Sequence, residues 1–140
     1  AYEIPQRLVG SEMCIRDSFK VLEMDSRTLK GKELEHFAPA RDANVYLPDS
    51  DLDVITGVTI LNDTLPDLLA MCKPGADILV TGPTAGMIPD AFFKRGVTVM
   101  GGILVTKPDE LLDVISEGGS GYHFFGKSAE RIVIYNKQGM

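Results

Sequence analysis

The stretch Asp53-Val54-Ile55-Thr56-Gly57-Val58-Thr59-Ile60-Leu61-Asn62-Asp63-Thr64, continued by Leu65-Pro66-Asp67-Leu68-Leu69, decides the fold. It reads as a buried strand, a polar turn and the start of a helix. A second unit, Asp77-Ile78-Leu79-Val80-Thr81-Gly82-Pro83-Thr84-Ala85, repeats the form. In both, an acid precedes an apolar run that ends in Thr-Gly. Apolar runs bounded by turn residues and alternating with helices predict a parallel sheet. Open parallel sheets bind ligands at the carboxyl ends of their strands, where both Thr-Gly turns would lie.

Working outward, Val54-Ile55-Thr56 is expected to be a central strand. Leu65, Leu68, Leu69 and Cys72 then fall on one face of a helix. Pro66 fits only in its first turn, which puts the N-cap at Asp63 or Thr64. Cys72 continues the apolar face and reads as core rather than ligand. Pro74-Gly75 ends the helix. Ile78-Leu79-Val80 is the next strand, followed by a Gly82–Gly86 turn and a short helix through Ala91, Phe92 and Phe93. Val97-Thr98-Val99-Met100 and Ile103-Leu104-Val105 form a strand interrupted by Gly101-Gly102, a signature of a bulge or a close backbone approach. Lys107-Pro108-Asp109-Glu110 opens a helix with acids in its first turn. Leu111, Leu112 and Ile115 are expected to face inward. Tyr122–Phe125 extends or caps the sheet, and Arg131–Tyr135 is a final, edge-type strand.

Before the central stretch, Phe19–Met24 predicts a short strand ending at Asp25. An acid there can hold a ribose in a dinucleotide fold, but no Gly-rich turn precedes it, so Asp25 reads as a solvated strand end. Leu29, Leu34 and Phe37 mark one weak helix punctuated by Pro39 and Pro48. His36 reads as a surface residue. The expected order over residues 19–140 is a doubly wound α/β layer.

Residues 1–18 have neither helical nor strand period. Leu8-Val9-Gly10-Ser11-Glu12-Met13-Cys14-Ile15-Arg16-Asp17-Ser18 resembles a translated sequencing-adapter tail. The expectation is a non-native tail, with the natural chain entering near Phe19 and truncated there. Without that tail the 20 acids fall to 17, the 14 bases to 12, and the net charge moves from -6 to -5.

The chain of 140 residues is one domain at most. Its acidic balance, pI about 4.8, argues against a nucleic-acid surface, which needs clustered Lys and Arg. No apolar run approaches the roughly 20 residues that span a bilayer, and no signal peptide is visible. Two cysteines make no disulfide framework, so a reducing cytoplasm is the default.

The two turns form a polar rim. Backbone N–H groups at Gly57 and Gly82 are open to close approach by an anion, and a helix start near Thr64 adds its positive dipole end. Thr56, Thr59, Asn62 and Thr84 offer hydrogen bonds. Two readings stand side by side: a cleft for an anion or polar ligand, or residues that only cap helices and close turns. There is no G-x-S-x-G, Walker loop or G-x-G-x-x-G, so no nucleotide motif is seen. No C-x-x-C or H-x-x-x-H pair supports a closed zinc site.

Ile55–Leu65 resembles the "TGxTxxNxT" turn of the putative heavy-metal-chelation family, a domain of unknown function. Gly82-Pro83-Thr84-Ala85 is similar to its "GPSA" turn. Phe93–Val97, Gly102–Thr106 and Glu117–Gly119 resemble its later blocks in the right order. The resemblance implies a two-part protein in which an enolase-like N-terminal domain, missing here, partners a Rossmann-like domain across an inter-domain site. It implies a divalent transition metal or small ligand there, with Thr56, Gly57, Thr59, Asn62, Thr64, Gly82, Pro83 and Thr84 lining the site as positioning groups. Asp63 or turn carbonyls would be the metal-ligating contribution. The alternative is an enzyme domain that binds a phosphorylated or nucleotide ligand at the same turns. A domain without its first strand is also expected to self-associate.

Overall fold

The computed structural model describes residues 19–136, so the expected tail lies outside the described residues. The chain divides into two compact units at the Asp49–Ser50 junction.

The first unit holds a small parallel ribbon. β1 (Val21–Glu23) pairs with β2 (Phe37–Pro39) in the register Val21 to Phe37. The weak helix expected between them is replaced by 3-10 turns at Ser26–Thr28 and Gly31–His36. The cause is local. The Asp25 carboxylate accepts the Arg27 backbone N–H at 3.0 Å and closes a tight turn. Gly31 sits at φ 58°, outside the helical range. A further 3-10 turn (Ala40–Asp42) leads into α1 (Ala43–Tyr46). His36 is half-buried, stacked on the Phe19 ring with centroids 3.8 Å apart.

The second unit is a four-stranded sheet. β3 (Leu52–Thr56), β4 (Asp77–Thr81) and β5 (Val99–Val105) run parallel, and β6 (Ala129–Tyr135) closes the sheet antiparallel to β5. The order is β3-β4-β5-β6. The protein is thus α/β with a mainly parallel sheet. β3 is an edge strand of this sheet rather than the central strand expected. Apolarity alone does not separate the two positions, because an edge strand also packs one face on the core. β6 occupies the other edge, as its sequence suggested.

Between the strands lie α2 (Val58–Leu61), α3 (Leu65–Met71), α4 (Asp90–Phe93), α5 (Pro108–Ser116) and α6 (Gly121–Phe124). α3 starts at N-cap Thr64 with Pro66 in its first turn and ends at Cys72, as the spacing predicts. The row Ile55, Val80, Met100 and Ile134 crosses all four strands on one face. Leu65, Leu68 and Leu69 of α3 and Phe92 and Phe93 of α4 pack on that face. Full burial of each such side chain contributes roughly 1.5–3 kcal/mol. Parallel crossovers are right-handed, and β3, β4 and β5 follow one another without reversal, so α3 and α4 fall on the same face.

The adjacent row, Val54, Leu79, Val99 and Tyr135, points to the opposite face. Val54 stays 51% exposed and Tyr135 58%.

Two local expectations change. In α5 only Leu111 is buried; Leu112 and Ile115 are 64% and 52% exposed. α5 links β5 to an antiparallel neighbour, so it is not obliged to cross a sheet face as α3 does. Gly101-Gly102 does not bulge: β5 pairs with β6 residue for residue from Val99 to Val105. The glycines instead admit a close backbone approach, the other outcome expected of them. A β-carbon on Gly102 would lie 2.7 Å from Gly86 Cα.

Candidate functional site

The two Thr-Gly turns meet at the carboxyl ends of β3 and β4. Thr56 and Thr81 are paired across the strands, so the glycines that follow them are neighbours. Gly82 takes φ 137°, open to glycine but not to other residues. It leads into a 3-10 turn, Pro83–Ala85, that folds back against Gly57. A β-carbon on Gly57 would sit 2.4 Å from Thr84 Oγ1 and 3.1 Å from the Ala85 nitrogen. Behind this contact, Gly86 lies on Gly102 of β5. Gly57, Gly86 and Gly102 therefore let the turn after β4 pack closely against the end of β3 and the middle of β5.

The hydrogen bonds show how these residues are occupied. Gly57 N–H donates to the Thr81 carbonyl at 2.7 Å, and Gly82 N–H to the Gly101 carbonyl at 2.9 Å. Both continue the strand ladder, so neither N–H is available to an anion as the sequence suggested. The buried Thr59 hydroxyl donates to the Thr56 carbonyl at 2.7 Å. Thr56 Oγ1 accepts from the Val58 N–H at 3.4 Å. Asn62 Oδ1 accepts from Thr64 Oγ1 at 2.7 Å and from its N–H at 3.3 Å. The helix dipole expected at Thr64 belongs to α3, which spans two turns, and the Thr64 N–H is already taken by Asn62 and the Thr59 carbonyl.

What remains open at the rim is side-chain surface. Thr56, Asn62, Asp63, Thr64 and Pro83 are exposed, while Gly82 and Thr84 are half-buried. Asp63 holds a left-handed backbone, φ 59°, at the tip of the turn. Thr84 Oγ1 is enclosed without a hydrogen-bond partner. The rim thus offers neutral hydrogen-bonding groups and one carboxylate, a set suited to positioning a polar ligand rather than to proton transfer.

A second polar feature, unweighed in the sequence, lies at the opposite end of the sheet. Asp53, in β3, is only 5% exposed, and its Oδ2 has no hydrogen-bond partner. Beside it is Cys72, whose thiol donates to the Leu68 carbonyl at 3.3 Å. Burial, and then the Asp53 carboxylate, push the Cys72 thiol up to about 12. Cys72 helps line a cleft of about 360 Å³ together with Leu69, Lys73, Arg95 and Thr98. The acid that precedes each apolar run was the visible signal, but burial of a carboxylate does not show in the sequence.

A heavy metal needs a donor set, and the described residues do not assemble one. Among them no group of three His, Cys, Asp or Glu side chains converges. The single described thiol stays protonated at neutral pH and sits at the far end of the sheet from Asp63. The turns alone do not fit a soft metal.

The sequence profile of the DUF364 family, described as putative heavy-metal chelation, matches residues 11–134. The chain belongs to this family. An uncharacterized protein of Methanocaldococcus jannaschii is 33% identical over 82 residues, which cover 59% of this chain and 32% of that protein. A DUF364 protein of unknown function from Pyrococcus horikoshii, solved by crystallography, superposes with a TM-score of 0.61 at 25% identity. It covers 77% of this chain, which spans 45% of that one. A DUF364 protein from Desulfitobacterium hafniense superposes at 0.59 with 20% identity, covering 71% of this chain and 39% of its own. The DUF364 chain thus spans less than half the length of these relatives. Among the described residues no helix is long and apolar enough to cross a membrane.

Proposed function

We propose that this chain is the Rossmann-like part of a cytoplasmic heavy-metal-chelation-family protein, and that its strand-end turns line a site for a small polar ligand or a metal-bound one. The observation that carries this reading is the convergence of Thr56–Thr64 and Gly82–Thr84 at the ends of two adjacent parallel strands, the place where open α/β sheets receive ligands. Thr56, Asn62 and Thr64 act by hydrogen bonding, Thr84 holds the second turn against Gly57, and Asp63 is the acidic group. The metal-ligating donors belong to the enolase-like domain of the same protein, outside the described residues.

The test is a ligand screen by thermal shift on the full-length protein. Stabilisation by divalent transition metals, reduced by Thr56→Val combined with Asn62→Ala, supports the reading. Stabilisation by nucleotides or sugar phosphates without metal favours the alternative, an enzyme domain acting on phosphorylated ligands. Binding unchanged by the double substitution removes the turns from the site.

A further inference from the structure

The strand-end turns carry no positive charge. Residues 52–72 and 76–93 hold β3, β4, both turns and the helices α2, α3 and α4, and they contain no Lys, Arg or His. Asp63, Asp67 and Asp90 are exposed in the same two segments. Cations follow only after the helices, at the amino end of the sheet. There Lys73 pairs with Asp51 at 2.5 Å, and Arg95 shares with it the cleft beside Cys72. At the carboxyl end the cations belong to segments beyond the two turns. Lys107 is held by Glu110 at 2.9 Å, Arg131 lies over the Phe125 ring, and Lys127 precedes β6.

Recognition of a phosphate or carboxylate uses backbone N–H groups, helix N-termini, Lys or Arg. Here the Gly57 and Gly82 N–H groups bond to neighbouring strands, and the Thr64 N–H is taken. The rim presents acceptors instead. The Thr64 hydroxyl spends its proton on Asn62 Oδ1 at 2.7 Å, so it meets a ligand through its oxygen. Thr56 Oγ1 has one distant donor, the Val58 N–H at 3.4 Å, and Thr56 is exposed. Asp63 adds a carboxylate on a left-handed backbone. Apolar side chains flank these acceptors. Val58 and Leu61, three residues apart on α2, share a face and are exposed, Leu61 at 72%. α2 packs against the Pro83–Ala85 turn, and just beyond that turn Met87 and Ile88 are exposed, Ile88 at 79%.

We propose that the ligand of these turns is an organic cation, a protonated amine. Its N–H groups face the Asp63 carboxylate and the Thr56 and Thr64 hydroxyl oxygens, and its apolar body lies on Val58, Leu61 and Met87. The proposal rests on the reading of the turns as the ligand site and names the chemical class that site takes. The acceptor surplus and the absence of Lys, Arg and His turn a phosphate or carboxylate away. An ammonium group needs no convergent donor set, whereas a metal ion does. Among the described residues no three His, Cys, Asp or Glu side chains converge.

Amide chemical-shift titrations of the full-length protein with hexylammonium, hexanol and hexanoate test the proposal. Hexylammonium should bind tightest and hexanoate weakest. Butylammonium should bind more weakly than hexylammonium, by up to about fourfold for each methylene lost. Asp63→Asn keeps a residue that accepts the left-handed backbone. It should weaken hexylammonium about two- to fivefold and leave hexanol unchanged. Leu61→Ser, at an exposed position, should weaken both. Hexanoate or inorganic phosphate binding more tightly than hexylammonium, and lost on Thr56→Val combined with Asn62→Ala, overturns the proposal and leaves the turns as the site. Hexylammonium binding that Asp63→Asn does not change overturns it too. If Leu61→Ser and the double substitution also leave that binding unchanged, the reading of the turns as the site falls with it. A response to none of these probes, with transition metals still stabilising the protein through Thr56 and Asn62, overturns the proposal alone.

Discussion

Gly57 and Thr84 are packed so closely that a β-carbon on the glycine would stand 2.4 Å from the threonine hydroxyl oxygen. This contact locks the two candidate turns together. Gly57→Ala must push the Pro83–Ala85 turn aside, and overpacking of this kind costs about 1–3 kcal/mol. Chemical denaturation should show that loss. Adding Thr84→Ala removes the nearest atom and should recover part of it. Full additivity of the two changes would mean that the contact is not what resists the alanine.

Asn62 also organises the turn, since its Oδ1 accepts both the hydroxyl and the N–H of Thr64. Asn62→Ala should cost about 0.5–1.5 kcal/mol, and Asn62→Asp, which keeps the acceptor, should cost less. Equal losses for the two would show that the hydrogen bonds to Thr64 contribute nothing measurable.

Cys72 should react slowly with alkylating reagents at neutral and mildly alkaline pH, because burial and the Asp53 carboxylate hold its thiol protonated up to about 12. The folded value lies above the ordinary value of 9.0. The folded state therefore binds the proton more tightly than the unfolded state. Its contribution is complete below about pH 9 and is lost as pH rises toward about 12. Asp53→Asn should speed alkylation at a given pH and flatten the stability profile over that window. Unchanged alkylation would show that Asp53 does not govern the thiol.

The exposed edge and face of β3 should make this chain associate on its own. Sedimentation velocity across a concentration series should show a shift to larger species, weakened by Val54→Lys. A concentration-independent monomer with a sharp melt would contradict this expectation.

The sequence by itself determined the type of layer. Two acid-led apolar runs ending in Thr-Gly, each followed by a helical spacing, determined the parallel strands β3 and β4, the start of α3 at Thr64 and the meeting of both turns at one end of the sheet. Those features rest on local chemistry: proline in a first helical turn, glycine at a tight turn and the period of apolar side chains. Tertiary structure alone decided that β3 lies at an edge, that Gly57 and Gly82 donate to neighbouring strands, and that Asp53 is buried against Cys72. Each of these depends on which distant segment lies alongside. Hydrogen-bond partners and desolvation are set by neighbours in space, and residues far apart in the chain carry no local mark of that proximity.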